Sequence, residues 1–305
     1  MKKVISLLLV AILTVACFGS AFAAEDKVVI GFSNWSRAFE FYVDIEEGMQ
    51  AAAEAAGVDL IIVDPSGDLN TQTEQLEDFV ARGVDGIIMV PIDSAASASE
   101  VEMVNEANIP LITLDIECTG GGKVLSHIAS DNHLGGVLAA RFIGDYLGGK
   151  GQVAILDNNT ITSLIDREKG FTETMATEYP AIDIVSIQSG ESTREKGMEV
   201  TENWLINYPD LKAIFGTNDM MCLGAVQSID AAGADVIVVG FDATAEACTV
   251  IAEDGAMKAS IAQQPKLLGQ VGMETMMKIL AGETVEYLTQ ADVVPVSKEN
   301  VADYM

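Results

Sequence analysis

Short apolar segments alternate with longer amphipathic segments along almost the whole chain, and this alternation limits the folds that it can adopt. The first apolar segments, 28–33, 60–63, 86–90 and 110–114, are apolar at nearly every position. A strand of this kind is buried on both faces, as in a parallel sheet that helices cover on each side. The segments between them have helical periodicity, and Gly57 follows the first one at a position typical of a helix end.

The second half of the chain repeats this alternation. Its predicted strands are 124–128, 153–156, 183–187, 213–216, 236–241 and 258–262. Two runs of alternating strands and helices predict an α/β protein with two doubly wound, parallel-sheet (Rossmann-like) domains, and 305 residues suffice for two cores. No low-complexity linker separates the halves, so we expect short ordered strands to join them and to act as a hinge.

The chain begins with the pattern of an export signal, which we assign to residues 1–23. Two lysines precede an apolar run at 4–18, and Ala-Phe-Ala at the end of the segment fits a signal-peptidase site. We predict cleavage before Ala24. Lipid attachment at Cys17 is the alternative, although the residues before this cysteine fit a lipidation motif poorly.

The charge of the chain excludes several classes of partner. The 46 acidic and 17 basic residues give a formal net charge of −29. A protein that binds nucleic acid needs a basic surface, so we expect no nucleic-acid partner, and anionic lipid is disfavoured for the same reason. The charge also favours a soluble monomer. No later segment approaches 18 continuous apolar residues, so we expect no membrane span after the export signal.

Cysteine and histidine usage gives no support for a metal site or a catalytic site. Cys118, Cys222 and Cys248 are odd in number and have no motif spacing, which predicts free, buried thiols. The only histidines, His127 and His133, form no cluster with zinc-like spacing. The sequence also lacks a nucleophile elbow and a phosphate-binding loop. We therefore expect no metal, no cofactor and no catalytic residues.

Polar and aromatic side chains follow the predicted strands, beyond whose carboxyl ends an open parallel sheet binds its ligands. The candidates are Trp35, Arg37, Phe39, Phe41, Tyr42, Asp115, Asn218, Phe241, Asp242 and Gln263. Carboxylates, guanidinium groups and amides pair with sugar hydroxyls, and the C–H faces of a sugar ring pack on aromatic rings. This set predicts a site for a polyhydroxylated ligand. The alternative is that the acids and amides cap helices and that the aromatic residues belong to the core.

Five motifs resemble periplasmic sugar-binding proteins of the ribose-binding type. They are NIPLITLD at 108–115, SHIASDN at 126–132, NDM at 218–220, VVGFD at 238–242 and IAQ at 261–263. The resemblance extends over essentially all of the chain after the export signal. It implies a periplasmic binding protein fold of type I, a periplasmic location and a membrane ABC permease as partner. Some members of this family also address a chemoreceptor.

The resemblance also implies where the chain crosses between two lobes, namely near Ser130, Gln263 and Asp292. The expected N-terminal lobe comprises 24–130 plus 264–291, and the expected C-terminal lobe comprises 131–263 plus 292–305. Three strand crossings then form the hinge, and bending at this hinge closes the lobes on the ligand.

Ligand contacts are carried over from the resemblance residue by residue. They fall on Phe41, Tyr42, Asp115, Arg167, Asn218, Phe241, Asp242 and Gln263, with Ser130 at the first crossing. Three positions depart from ribose binders, because Ile116 replaces an arginine, Val90 an asparagine and Ser192 a phenylalanine. The first loop is also longer. Within it, Arg37 is the candidate to replace the lost guanidinium, and Trp35 or Phe39 the lost ring.

These departures leave the identity of the ligand open. We expect a monosaccharide or a polyol, which is bound without catalysis. A signalling sugar or an amino-polyol is the alternative, because Ile116 and Val90 remove polar contacts while Glu117 offers a partner for a cation. A secreted enzyme on the same fold needs a general acid–base pair in the cleft, for which Asp115 and Asp242 are the candidates.

Overall fold

The computed structural model describes residues 27–305, so the predicted export signal at 1–23, its cleavage site and Cys17 lie outside the described residues. The strands are β1 (Val29–Ser33), β2 (Asp59–Val63), β3 (Gly86–Met89), β4 (Leu111–Leu114), β5 (His127–Ser130), β6 (Lys150–Asp157), β7 (Ala181–Ser189), β8 (Leu211–Gly216), β9 (Ile237–Asp242), β10 (Met257–Ala262), β11 (Leu288–Ala291) and β12 (Val294–Ser297). The helices are α1 (Glu40–Ala56), α2 (Leu69–Arg82), α3 (Ala98–Glu106), α4 (Asn132–Tyr146), α5 (Thr162–Glu178), α6 (Arg194–Asn207), α7 (Asp219–Ala232), α8 (Ala245–Ala252) and α9 (Pro265–Leu280).

The strands form two six-stranded sheets, with the orders β11-β5-β4-β3-β1-β2 and β12-β10-β9-β8-β6-β7. Among residues 27–305, every strand pairing is parallel except that of β10 with β12. Both sheets alternate with helices along the chain, so the predicted α/β fold with two parallel-dominated sheets is confirmed. We call the first sheet with its helices the N-lobe and the second sheet with its helices the C-lobe.

Local sequence signals explain where the helices of the N-lobe begin and end. Helix α1 buries Phe41, Tyr42 and Ile45 along one face, as its helical spacing predicts. It ends at Gly57, whose left-handed backbone (φ 71°) lets its N–H bond to carbonyls of the last turn. Helix α2 begins at Asp68, whose carboxylate accepts a hydrogen bond from the N–H of Thr71.

The chain passes between the two sheets three times. Strand β5 ends in the N-lobe at Ser130, and β10 ends in the C-lobe at Ala262 before α9 returns to pack on α1. Strands β11 and β12, which lie in different sheets, are separated by two residues. Sequence analysis missed both of these strands, because they are short, half-exposed edge strands without an apolar run. The predicted strand at 124–128 also starts too early, because β5 begins at His127.

The free cysteines Cys118, Cys222 and Cys248 are all buried, as predicted. None of the helices described within residues 27–305 has the length and apolar character needed to cross a membrane. Within the same residues, no group of three or more His, Cys, Asp or Glu side chains is arranged to hold a metal ion.

Candidate ligand-binding site

A cavity of about 290 Å³ lies between the two lobes, beyond the carboxyl ends of strands from both sheets. Nine of the residues singled out in the sequence line it, namely Trp35, Phe39, Phe41, Tyr42, Asp115, Arg167, Asn218, Asp242 and Gln263. Arg37, Ser130 and Phe241 are not among the lining residues. The fold therefore gathers most of the predicted set, from both lobes, around one space.

The N-lobe lines the cavity with four aromatic rings from one short segment. Trp35 stacks on Tyr42 with ring centroids 5.9 Å apart, and Phe39 meets Trp35 edge-on at 5.3 Å. Phe41 meets Tyr42 edge-on at 5.2 Å. The indole N–H of Trp35 donates to the carbonyl oxygen of Ile92 over 3.2 Å, which orients the ring. The mutual packing of these rings forms an apolar wall of defined shape.

Asp115 adds a buried carboxylate to this wall. It follows β4 with a left-handed backbone (φ 59°), which is strained for a residue with a side chain. At this position Asp115 lines the cavity. The Tyr42 hydroxyl donates to Oδ2 over 3.1 Å, whereas Oδ1 has no hydrogen-bond partner within the described residues. Burial raises the pKa of Asp115, and the nearby charge of Arg167 opposes that shift.

Arg167 is the deeply buried cation of the cavity, with 2% of its surface exposed. Its Nε donates to Asn132 Oδ1 and its Nη1 to the Thr217 carbonyl, both over 2.8 Å. The guanidinium carbon lies 3.7 Å from the ring centroid of Phe241. Phe241 is therefore placed beneath Arg167 and orients it, whereas the sequence-based interpretation had this ring touching the ligand.

Asp242 and Gln263 lie next to this arginine. Asp242 Oδ1 is 3.6 Å from Arg167 Nη1 and accepts a 2.6 Å hydrogen bond from Gln263 Nε2. Ser130, at the end of β5, donates to Gln263 Oε1 over 2.6 Å. Ser130 thus connects the first crossing to the second one and holds Gln263 in place without lining the cavity.

Two further acids in this region, besides Asp115, have raised pKa values. Burial raises the pKa of Asp242 to about 6, while Arg167 acts in the opposite direction. Burial and the nearby Asp242 raise the pKa of Asp219 to about 8. Asp219 accepts hydrogen bonds from Ser260 and Thr244, whereas Asp242 supplies the negative charge beside Arg167.

The structure corrects the prediction for Arg37. Its Nε lies 2.9 Å from both carboxylate oxygens of Glu46, and 47% of the side chain is exposed. Glu46 on α1 holds it away from the cavity. The second guanidinium that lines the cavity belongs to Arg194, which bonds to both carboxylate oxygens of Glu246. Sequence analysis missed Arg194, although its position at the start of a helix after a strand was a usable signal.

Four aliphatic lining residues were also missed. Ile161 and Leu164 come from the start of α5, and Met220 and Leu223 come from the start of α7. In the sequence they are indistinguishable from core residues of amphipathic helices. Their position directly after the ends of β6 and β8 was the only signal that could have found them.

Direct hydrogen bonds join the lobes on two sides of the cavity. On one side, the Ser94 N–H donates to the Thr160 carbonyl over 3.1 Å, and the Thr162 N–H donates to Ser94 Oγ over 2.9 Å. On the other side, the Ala245 N–H donates to Glu40 Oε2 over 3.1 Å. The structure therefore represents a closed arrangement of the two lobes.

Known proteins match this chain over nearly its whole length. The family model described as "Periplasmic binding protein domain" matches residues 30–284. The ribose import binding protein of Haemophilus influenzae is 36% identical over 98% of this chain and 100% of its own length. The D-allose-binding periplasmic protein of Escherichia coli is 32% identical over 85% of each chain.

A solved structure shows the same similarity in three dimensions. The solute-binding protein of an ABC transporter from Agrobacterium vitis, bound with α-D-tagatopyranose, superposes with a TM-score of 0.86. The two sequences are 29% identical, and the match covers 91% of this chain and 97% of the other. The family model, the related sequences and the shared fold agree, and this chain belongs to the periplasmic binding protein family.

Proposed function

We propose that this protein is an exported receptor that closes two lobes around a monosaccharide or polyol and delivers it to a membrane ABC importer. The observation that supports this most directly is the meeting of Asp115 from the N-lobe with Arg167, Asp242 and Gln263 from the C-lobe at one cavity. A hydroxylated ligand at this point contacts both lobes at once. The sugar-related names of the matching proteins support the same conclusion.

The chemistry of these side chains suits hydroxyl groups. A hydroxyl donates one hydrogen bond and accepts others, so it can bridge a carboxylate such as Asp242 and a guanidinium such as Arg167. Hydrogen bonds to charged groups contribute about 1.5–3 kcal/mol each. The aromatic rings of the N-lobe offer apolar faces to the C–H groups of the same ligand.

Capture by closure follows from the contact of the ligand with both lobes. We propose the lobes 24–130 plus 264–291 and 131–263 plus 292–305, with bending at the three crossings between the sheets. The ligand favours the closed state only through its stronger binding to that state. The importer then recognises the closed receptor. We further propose that the protein acts as a monomer in the periplasm, with a chemoreceptor as a second candidate partner.

We propose a class of ligand and not ribose itself, because positions that differ from ribose binders lie in or near the site. Ser192 lines the cavity, whereas Ile116 and Val90 are fully buried outside it. Glu117, the candidate partner for an amino-polyol, lies outside the cavity lining and accepts a 2.7 Å hydrogen bond from the Tyr287 hydroxyl. Its position does not favour a cationic ligand.

Binding without chemical conversion is part of the proposal. The matching proteins of Haemophilus influenzae, Escherichia coli and Agrobacterium vitis are named as binding proteins. We expect a sugar to be recovered unchanged after incubation with the receptor. Appearance of a product would favour the enzyme alternative, with Asp115 and Asp242 as the acid–base pair.

The proposal is tested by titrating the mature protein with a panel of pentoses, hexoses and polyols, using calorimetry and tryptophan fluorescence. Trp35 lines the cavity, whereas Trp204 is buried in the C-lobe core, so a fluorescence change reports the site and disappears in Trp35→Phe. Arg141→Ala, which removes an exposed ion pair with Glu178, is the control that keeps binding. No heat and no fluorescence change with any panel member would refute the proposed function.

A further inference from the structure

The distribution of polar and apolar groups inside the cavity points to a narrower class of ligand. We infer that the ligand has its hydroxyl groups along one edge and an apolar substituent, such as a deoxy methyl or an O-methyl group, that packs against the apolar side chains of the lining. This inference rests on the proposed function, because it concerns the same cavity.

Two polar side chains of the lining already make hydrogen bonds within the protein. The indole N–H of Trp35 donates to the Ile92 carbonyl. Asn218 accepts from the Met221 N–H over 3.0 Å and donates to the Ser192 carbonyl over 3.3 Å. Trp35 therefore has no donor left for a ligand hydroxyl, and Asn218 has one N–H and one acceptor position left.

The charged groups at the rim are partly engaged by hydrogen bonds within the protein. Arg194 forms two hydrogen bonds with the carboxylate of Glu246, at 2.8 and 2.6 Å. Glu40 Oε2 accepts from the Ala245 N–H across the lobes. Hydroxyl groups that faced these pairs would have to compete with hydrogen bonds that the closed protein already makes.

Unused hydrogen-bonding capacity is greatest around Asp115, Asp242 and Arg167. Asp115 Oδ1 has no hydrogen-bond partner within residues 27–305. The Gln263 amide and Arg167 both approach the same oxygen of Asp242, which leaves the second carboxylate oxygen for a ligand. Arg167 uses only Nε and Nη1 for its hydrogen bonds to the described residues. Ligand hydroxyls therefore find partners along this edge.

Most of the remaining cavity surface is apolar. Ile161, Leu164 and Leu223 from the C-lobe face the same space as the N-lobe rings Trp35 and Phe39. A hydroxyl group against these side chains gives up its hydrogen bonds to water and gains none, which is unfavourable. A methyl group there is released from water at no such cost. A ring that bears hydroxyls on every side fits this distribution less well than one with an apolar substituent.

The test compares matched pairs of ligands by calorimetry with the mature protein. The pairs are D-galactose with D-fucose, L-mannose with L-rhamnose, and myo-inositol with an O-methyl-inositol. In the pair whose hydroxyl groups match Asp115, Asp242 and Arg167, we expect the deoxy or methylated member to bind about fourfold tighter or more. This factor corresponds to about 0.8 kcal/mol for one buried methyl(ene) group. Leu164→Ala should bring the two members of that pair close to parity.

Leu267→Ala is the matched control, because Leu267 lies on α9 away from this cavity and should leave the preference unchanged. Thermal melting of each variant confirms that it is folded. Equal or tighter binding of the fully hydroxylated member in every pair would overturn the inference and leave the proposed function intact. Absence of binding by all six compounds, when another member of the panel binds, would also overturn the inference, and absence of binding by the whole panel would overturn both.

Discussion

The two walls of the cavity hold their side chains in different ways. The N-lobe wall comes mainly from one continuous segment, 35–42, whose rings are held by packing on one another. The C-lobe wall is assembled from the ends of separate strands, and hydrogen bonds orient its polar groups Arg167, Asp242 and Gln263. Preorganised polar groups lose little freedom when a ligand binds, so each one contributes more to affinity than a ring that only supplies contact area.

Asp242→Ala should have the largest effect on affinity, and it tests whether the C-lobe wall contributes more than the N-lobe wall. Loss of this carboxylate removes a ligand partner and takes one partner each from Arg167 and Gln263, so we expect affinity to fall by about 2–4 kcal/mol. Calorimetry with the best ligand of the panel measures the loss. Asp235→Ala is the matched control, because that side chain is 99% exposed. A loss below about 0.5 kcal/mol would show that the C-lobe wall is not the stronger one.

The pH dependence of binding tests the same carboxylate without a mutation. Burial raises the pKa of Asp242 to about 6, so the group is mostly ionised above pH 6 and mostly protonated below it. The ionised form is the better acceptor for ligand hydroxyls, and affinity therefore falls as pH decreases. We expect a loss of about tenfold between pH 7.5 and pH 5, since one pH unit below the pKa corresponds to about 1.4 kcal/mol. Calorimetry at both pH values should give a flatter profile for Asp242→Asn.

Phe39→Leu tests the N-lobe wall. The substitution keeps an apolar side chain but removes the edge-on contact with Trp35, so we expect affinity to fall by about 0.5–1.5 kcal/mol. Phe142→Leu, which removes a ring paired with Tyr146 outside the cavity, should leave affinity unchanged. A loss larger than that of Asp242→Ala would reverse the ranking of the two walls.

Ser94→Ala tests the direct contact between the lobes, which involves no ligand. Ser94 Oγ accepts from the Thr162 N–H, and its loss weakens the closed state by about 0.5–1 kcal/mol. Every ligand should lose affinity by the same factor, because the substitution changes closure and leaves both walls intact. Calorimetry with two different ligands measures this, with Ser99→Ala on the exposed face of α3 as the control. A ligand-dependent loss would contradict the interpretation.

Residues at strand ends were the easiest part of the site to predict. Asp115, Asn218, Asp242 and Gln263 each follow an apolar run, and the geometry of a parallel sheet brings such positions to one edge. The guanidinium groups show the limit of this reasoning. Nothing local distinguishes Arg37 from Arg194, and only packing shows that Glu46 holds the first one away from the cavity.

The order of strands and helices, and the chemical types that follow each strand, were determined by the sequence alone, because periodicity and strand-end position are local properties of the chain. The tertiary structure decided which polar groups remain available to a ligand and which apolar side chains face it. These features depend on contacts between distant residues, as in the hydrogen bond between Ser130 and Gln263, which are 133 positions apart. Such contacts form only when two lobes built from interleaved segments come together.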